Sequence, residues 1–411
     1  MHPGWIGNGQ HSRWLAAQTD ALLTFYARGC PDTEHGGFFW VDGKGEPVAS
    51  EGKQLWINAR MTYAFLLGDL LGIPGCAPRA QAGLDYLREG PLHDTANGGW
   101  FWAVDADGRP TDDSKQAYGH AFVMLAAAAG RAAGYDTHDL WTEVTALLDS
   151  KFWNEADGLF VDTWDATFTD LEAYRGQNAN MHLVEAMMLA WEVSGEPVFL
   201  DRAQSVAERL IHRLAAGNGW RLPEHYDERW HPDLDYGKGP DAELFRPYGS
   251  TIGHWLEWSR LLLQLHGLDP ARTSWAPDAA TTLFARALQE GWDEERGGFA
   301  FSTDWDGRIW DADRYHWVIA EAIGAAVALR AHTGDPEYDR WYRRFWEFAD
   351  AHVIDAENRS WIHQLDGENQ PSSDAWDGKP DLYHALQATL FARVPFEGSL
   401  VTRVAAGDVT A

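Results

Sequence analysis

GGFFWVDGKGEP, residues 36–47, decides the fold. Paired glycines, alternating aromatics and a second glycine cluster read as a hairpin, and a helical run carrying Arg60 follows. The same grammar returns as GGWFWAVDADGRP from Gly98, GLFVDTWDATFTD from Gly158, GWRLPEHYDERW from Gly219, GGFAFSTDWDGRIW from Gly297 and SWIHQLDGENQP from Ser360. Each copy leads into a helix with a polar residue near its head: Arg60, His120, His182, His254, His316 and His384, at intervals of 60 to 72 residues. One unit is therefore a hairpin and two helices, repeated six times.

Apolar spacing at three and four residues predicts twelve helices, over 14–29, 56–71, 77–88, 117–133, 137–152, 180–194, 198–215, 252–265, 275–291, 317–333, 336–352 and 382–391. Gly134, Gly195, Gly267 and Gly334 stop helices, and Pro197 and Pro336 open them. Asp107-Gly108 and Asp306-Gly307 supply turn chemistry. Six helical pairs close into a double-layered toroid, so the expected fold is an all-α (α/α)6 barrel with short β-hairpins at one rim, and the expected organisation is one catalytic domain over residues 1–411. In a closed ring the inner helices run the same way, which carries all six anchors to that rim. The segment after Pro395 is short and weakly patterned and reads as peripheral.

Bulk properties narrow the function. A formal charge of −29 argues against nucleic acid and anionic membranes as partners. No segment reaches the ~18 unbroken apolar residues of a membrane span, and the N-terminus lacks a signal-peptide pattern. Cys30 and Cys76 cannot build a disulfide framework, and a reducing cytoplasm is the expected location. The 23 tryptophans fill core for the most part. On a concave surface, an indole face stacks on sugar C–H groups while its N–H donates to a hydroxyl.

The chemistry-bearing residues cluster at the anchors. GSTIGHWLEWSRLLL sets His254 and Glu257 three apart on one helical face, where a carboxylate raises imidazole basicity. QNANMHLVEAMML repeats that spacing with His182 and Glu185 and adds Asn178. DGKPDLYHALQATL supplies His384, with Gln387 in the carboxylate's place. A closed ring lets His254 and His384 converge on one ligand and move protons near neutral pH. Arg60 in KQLWINARMTYAF and Arg246 in ELFRPYGST are cations able to stabilise an enediolate. Tyr118 and His120 in KQAYGHAF, with His316, Trp317 and Glu321 in DRYHWVIAEAIGAA, complete the rim; Trp317 is expected to stack on substrate and Glu321 to orient a neighbour. There is no phosphate-cradling loop, no dinucleotide fingerprint, no His-Glu-x-x-His and no Gly-x-Ser-x-Gly elbow, so neither a nucleotide cofactor nor a metal is expected.

Taken together, NANMHLVEA, GHWLEWSRLLL, YHWVIAEAIGAA and GKPDLYHALQA resemble the N-acylglucosamine 2-epimerase superfamily, in the branch of the D-mannose and sulfoquinovose isomerases. The resemblance runs from Trp14 to Phe391. The cellobiose 2-epimerase branch carries a Trp-Trp-Pro-Gln-Ala-Glu run where this chain has Tyr315 to Glu321, which speaks against disaccharide epimerisation.

The resemblance implies an (α/α)6 enzyme without cofactor or metal that interconverts D-mannose and D-fructose through a cis-enediolate, with the pentose pair D-lyxose and D-xylulose as a further substrate. It implies His254 and His384 as the acid/base pair, with Arg60, Tyr118, Asn178, His182, Arg246, Glu257 and Trp317 around the monosaccharide. His384 would handle the carbon-bound proton and His254 ring opening. Sulfoquinovose isomerisation, 2-epimerisation, glycoside hydrolysis by paired carboxylates and non-catalytic sugar binding remain alternatives, and the sequence leaves monomer and homo-oligomer open.

Overall fold

The predicted spacings appear as helices of two kinds. In chain order they are α1 (Gly9–Gly29), α2 (Leu55–Leu70), α3 (Cys76–Glu89), α4 (Ala117–Ala132), α5 (His138–Leu147), α6 (Gln177–Ser194), α7 (Pro197–Ala207), α8 (Ile252–Leu268), α9 (Ala276–Gly291), α10 (His316–Thr333), α11 (Pro336–Phe348), α12 (Tyr383–Phe391) and α13 (Leu400–Ala405). The computed structural model describes residues 4–239, 246–375 and 377–410. Even-numbered helices from α2 to α12 are buried almost all round, while α1, α3, α5, α7, α9 and α11 bury one face only. That contrast separates an inner from an outer layer. The inner helices touch in the order α2, α4, α6, α8, α10, α12 and back to α2, which closes an (α/α)6 barrel.

The outer helices are shorter than their apolar patterns. α5, α7 and α11 each pass into a wider π-helical turn, over Leu148–Phe152, Glu208–Ala215 and Ala349–Val353. Caps follow the local chemistry: Asn8 accepts from the first turn of α1, and Asp335 does so for α11 ahead of Pro336. Gly195 and Gly334 end α6 and α10 in the left-handed conformation.

The hairpins are less self-contained than the sequence suggests. The short strand before each inner helix pairs with the hairpin of the next unit, as in Lys53↔Val104, Lys115↔Trp164, Arg175↔Tyr226, Ser250↔Thr303 and Arg314↔Leu365. The sixth junction joins last unit to first, where Lys379 N–H donates to the Val41 carbonyl at 2.8 Å. Gly378 permits it: its φ is +96°, and a Cβ there would meet the Val41 oxygen at 2.3 Å.

One expectation is corrected. The tail after Pro395 is integral, because α13 packs against α2, α4 and α6 with Leu400, Val401 and Val404 buried. Glu192 near the end of α6 accepts from the Ser399 N–H and the Thr402 hydroxyl, and Gln264 reaches the Gly398 carbonyl. Three buried apolar residues in a six-residue helix are too few to produce a readable period.

Candidate active site

The heads of the inner helices surround a recess of about 610 Å³. Arg60, Tyr118, Asn178, His182, His254, Glu257, Trp317 and His384 all line it, as do Thr251, Phe301, Tyr315, His316 and Asp381. The two imidazoles read from sequence thus face one compartment, with Trp317 between them. Its ring centroid is 5.3 Å from that of His254 and 5.8 Å from that of His384. Gly253 makes room for that indole, since a Cβ there would fall 2.2 Å from the Trp317 ring.

On one flank, His254 Nδ1 lies 2.8 Å from Glu224 Oε2. A carboxylate only accepts, so the Nδ1 proton belongs to this contact and Nε2 is left for the recess. Gln177 donates to the same oxygen at 2.7 Å and is fixed in turn by the Trp258 indole N–H at 2.8 Å. Thr251 N–H holds the other oxygen at 3.1 Å. Burial pushes the Glu224 carboxyl upward, but His254 and these donors bring it below its ordinary value, so it is an anion.

The opposite flank differs. His384 Nδ1 is 3.1 Å from Glu321 Oε1, while Glu321 Oε2 accepts from Arg260 Nε at 2.9 Å. Asp381 Oδ2 lies 3.7 Å from His384 Nε2 and 3.3 Å from Arg60 Nη1. Arg60 also donates to the Tyr118 hydroxyl at 2.8 Å and stacks over Phe122 at 4.1 Å. Burial holds the His384 pKa well below its usual value against the pull of Asp381, with Arg60 adding to the depression. The ring is neutral near pH 7.

Beneath the recess, Arg260 sits among three buried carboxylates: Glu321, Glu185 at 3.5 Å and Glu257 at 3.6 Å. His182, Glu185 and Glu257 approach closely enough to hold a metal ion, and His182 Nδ1 and Glu257 Oε1 lack hydrogen bonds among the described residues. The donor set fits a cation poorly, because the Arg260 guanidinium already stands beside both carboxylates. Burial and the neighbouring Glu321 raise the Glu257 pKa well above the carboxylate range, so a proton there relieves the remaining negative charge. Burial also keeps His182 neutral.

Arg246, Glu321 and His120 fall outside the recess. Arg246 belongs to an adjoining hollow that shares Tyr118 and Asn178. Glu172 grips it with two hydrogen bonds of 2.8 and 2.9 Å, and Tyr174 stacks beneath it at 3.9 Å. Glu321 is fully buried behind His384. His120, read as a rim anchor, is instead a brace: its Nε2 accepts the Trp100 N–H at 3.3 Å. Asn58 does the same for Phe38 and Asn180 for Phe160, always across 20 residues. Counted from the strand before each inner helix, the position of Arg60 and His182 is therefore filled in α4 by Phe122. Sequence reading missed Glu224, Gln177, Asp381 and Arg260. Glu224 lies in a hairpin, 30 residues before its partner, where no periodicity marks it. Asp381 and Arg260 stood inside quoted motifs, three residues from the histidine and glutamate they serve.

Known proteins agree with this architecture. The chain is 41% identical over 404 residues to D-mannose isomerase of Thermobifida fusca, covering 98% of each chain. It is 40% identical to D-mannose isomerase of Pseudomonas cannabina pv. alisalensis, again over 98% of both. A crystal structure of D-mannose isomerase superposes with a TM-score of 0.86 at 33% identity, covering 92% of this chain and 96% of that one. Residues 36–388 match the family described as N-acylglucosamine 2-epimerase. With its six-fold helical ring and full-length relatives, the chain belongs to the N-acylglucosamine 2-epimerase family.

Proposed function

We propose that the protein is an aldose–ketose isomerase interconverting D-mannose and D-fructose. The observation that carries this reading is a pair of imidazoles on either side of Trp317 in one recess, each with its Nδ1 against a buried carboxylate. The full-length similarity to two D-mannose isomerases supports the choice of sugar. Arg246 being held by Glu172 favours a neutral sugar over an anionic one such as sulfoquinovose.

In this reading the pyranose lies against the Trp317 indole, and His254 carries the O1 hydroxyl proton to the ring oxygen, so that the C1–O5 bond breaks and the C1 aldehyde forms. The neutral His384 ring then takes the C2 proton of the open-chain aldose through Nε2. The enediolate oxygens face Arg60 and the Tyr118 hydroxyl, which stabilise their charge. His384 returns the proton to C1, while the hydroxyl proton moves from O2 to O1 by way of His254. Asn178, whose Oδ1 has no hydrogen bond among the described residues, and His182 receive sugar hydroxyls. Glu257 is the acid beneath them, and Glu321 orients His384. No step requires a metal or a nucleotide.

The test is incubation of chelator-treated protein with D-mannose in D2O. The expected product is D-fructose with deuterium at C1. No ketose from mannose, or ketose only after adding a divalent ion, would overturn the reading.

A further inference from the structure

Three acceptor atoms converge at one corner of the recess. His384 Nδ1 contacts Glu321, which can only accept, so the Nδ1 proton points there and Nε2 is bare. His316 Nδ1 contacts the His363 carbonyl at 3.3 Å, so its Nε2 is bare as well, and that buried atom has no hydrogen bond among the described residues. Both bare nitrogens lie 3.7 Å from the same oxygen, Asp381 Oδ2. The donor on that oxygen is Arg60 Nη1 at 3.3 Å, while Oδ1 is fixed by the Tyr383 N–H at 2.9 Å. In the resting state these acceptors repel one another. One added proton reverses the sign.

We propose that Asp381 is a positioning residue whose carboxylate stabilises the His384 imidazolium formed when the ring takes the carbon-bound proton, with His316 as the third acceptor of that corner. The contact is weak while Nε2 is bare and strong once Nε2 carries a proton, so it lowers the barrier without tightening ground-state binding. His316 stays neutral in this scheme because burial holds its pKa below the usual imidazole value against the pull of Asp381, and its ring is stacked on the equally buried His363 at 3.8 Å and 7° between planes. The groups facing His384 from the packed elements are Arg60 on α2, His182 on α6, Arg260 on α8, and His316 and Glu321 on α10, with His363 behind His316. Asp381 adds an anion at Nε2, the atom that faces the sugar, whereas Glu321 contacts Nδ1 and shares its charge with Arg260.

The proposal rests on the isomerase reading, and the two fail differently. Asp381→Asn keeps an oxygen for the Tyr383 N–H and loses the charge. With wild-type circular dichroism, this variant should lose at least about tenfold in kcat while KM and the affinity for D-mannitol change by less than about threefold. His384 must be neutral to accept a proton, so activity falls as pH drops through its pKa. Removing the neighbouring anion lowers that pKa and moves the acid limb of kcat/KM to lower pH by about one unit. Asp381→Glu should restore part of that limb.

NMR titration of labelled His384 in sugar-free protein should show the same downward displacement in Asp381→Asn. An unmoved His384 titration, or a loss carried by KM alone, would overturn the assignment. A displaced titration in a protein that turns over no mannose would keep Asp381 as the partner of His384 and sink the isomerase reading instead.

Discussion

The two flanks of the recess carry the same residue pair and offer it different electrostatics. His254 has Glu224, an anion held by Gln177, Thr251 and the imidazole itself, with no arginine among the described residues hydrogen-bonded to it. His384 has Glu321, whose other oxygen is spent on Arg260, and a guanidinium from Arg60 stands near its recess-facing edge. An imidazole whose Nδ1 is held by an undivided carboxylate keeps its other nitrogen aimed at the recess and suits proton exchange with sugar oxygens. An imidazole whose carboxylate is already neutralised stays bare and suits base work. Unequal surroundings, more than the histidines themselves, divide the labour.

The strongest way to break that comparison is to remove each ring. His254→Asn and His384→Asn should each lower turnover of mannose by about 10²- to 10⁴-fold. Solvent exchange at C2 separates them. His384→Asn should abolish deuterium wash-in during incubation in D2O. His254→Asn should retain slow wash-in, because the fraction of sugar already open still meets His384. Equal loss of exchange in both variants would refute the division of roles.

Next in size are the carboxylates behind the rings. Glu224→Gln leaves a hydrogen-bond acceptor but no charge, and should cost about 10- to 100-fold in kcat with KM little changed. Glu321→Gln strips the Arg260 guanidinium of its closest carboxylate inside the barrel, so it should also lower the melting temperature. A Glu224→Gln protein that melts as early as Glu321→Gln would show that the flanks are not electrically distinct.

A smaller effect is expected at the wall between them. Gly253→Ala would drive a methyl into the Trp317 indole, tilting the surface on which the sugar lies. KM should rise several-fold with kcat less affected, and Trp317→Phe should do the same by removing stacking area.

Much of this was legible because repeats announce themselves. Six hairpins with near-equal spacing gave the ring, and its closure brought His254 and His384 together although 130 residues separate them in the chain. What escaped was of two kinds. His120 shares its residue type and approximate spacing with the recess histidines, yet lies two positions short of the register held by Arg60 and His182, and a fraction of a helical turn is invisible to spacing alone. Glu224, in a hairpin, becomes a partner of His254 only through strand pairing between successive units, which the sequence of one unit does not encode. The packing of α13 was missed because six residues are too short for a period.

The smallest effect is expected behind the His254 flank, at Asp162. Its Oδ2 accepts the Gly176 N–H at 2.8 Å and so fixes the strand that delivers Gln177 to Glu224. Burial raises its pKa from 3.8 to about 7, against the pull of that N–H and of Arg246 and Arg175. The folded protein therefore binds a proton that the unfolded chain releases. The stability this gives is complete below pH 3.8 and is lost as pH rises through about 7. Asp162→Asn keeps an oxygen for Gly176 and cannot ionise, so its melting temperature should fall less between pH 6 and pH 8.5 than that of the wild type. Because Glu321 and Arg260 have no link to this strand, the His384 flank should not respond, and C2 exchange at pH 8.5 should match the wild type within about twofold. An unchanged pH dependence of melting would mean that Asp162 is already ionised at pH 6 and that the His254 flank is braced by charge instead of by a buried acid.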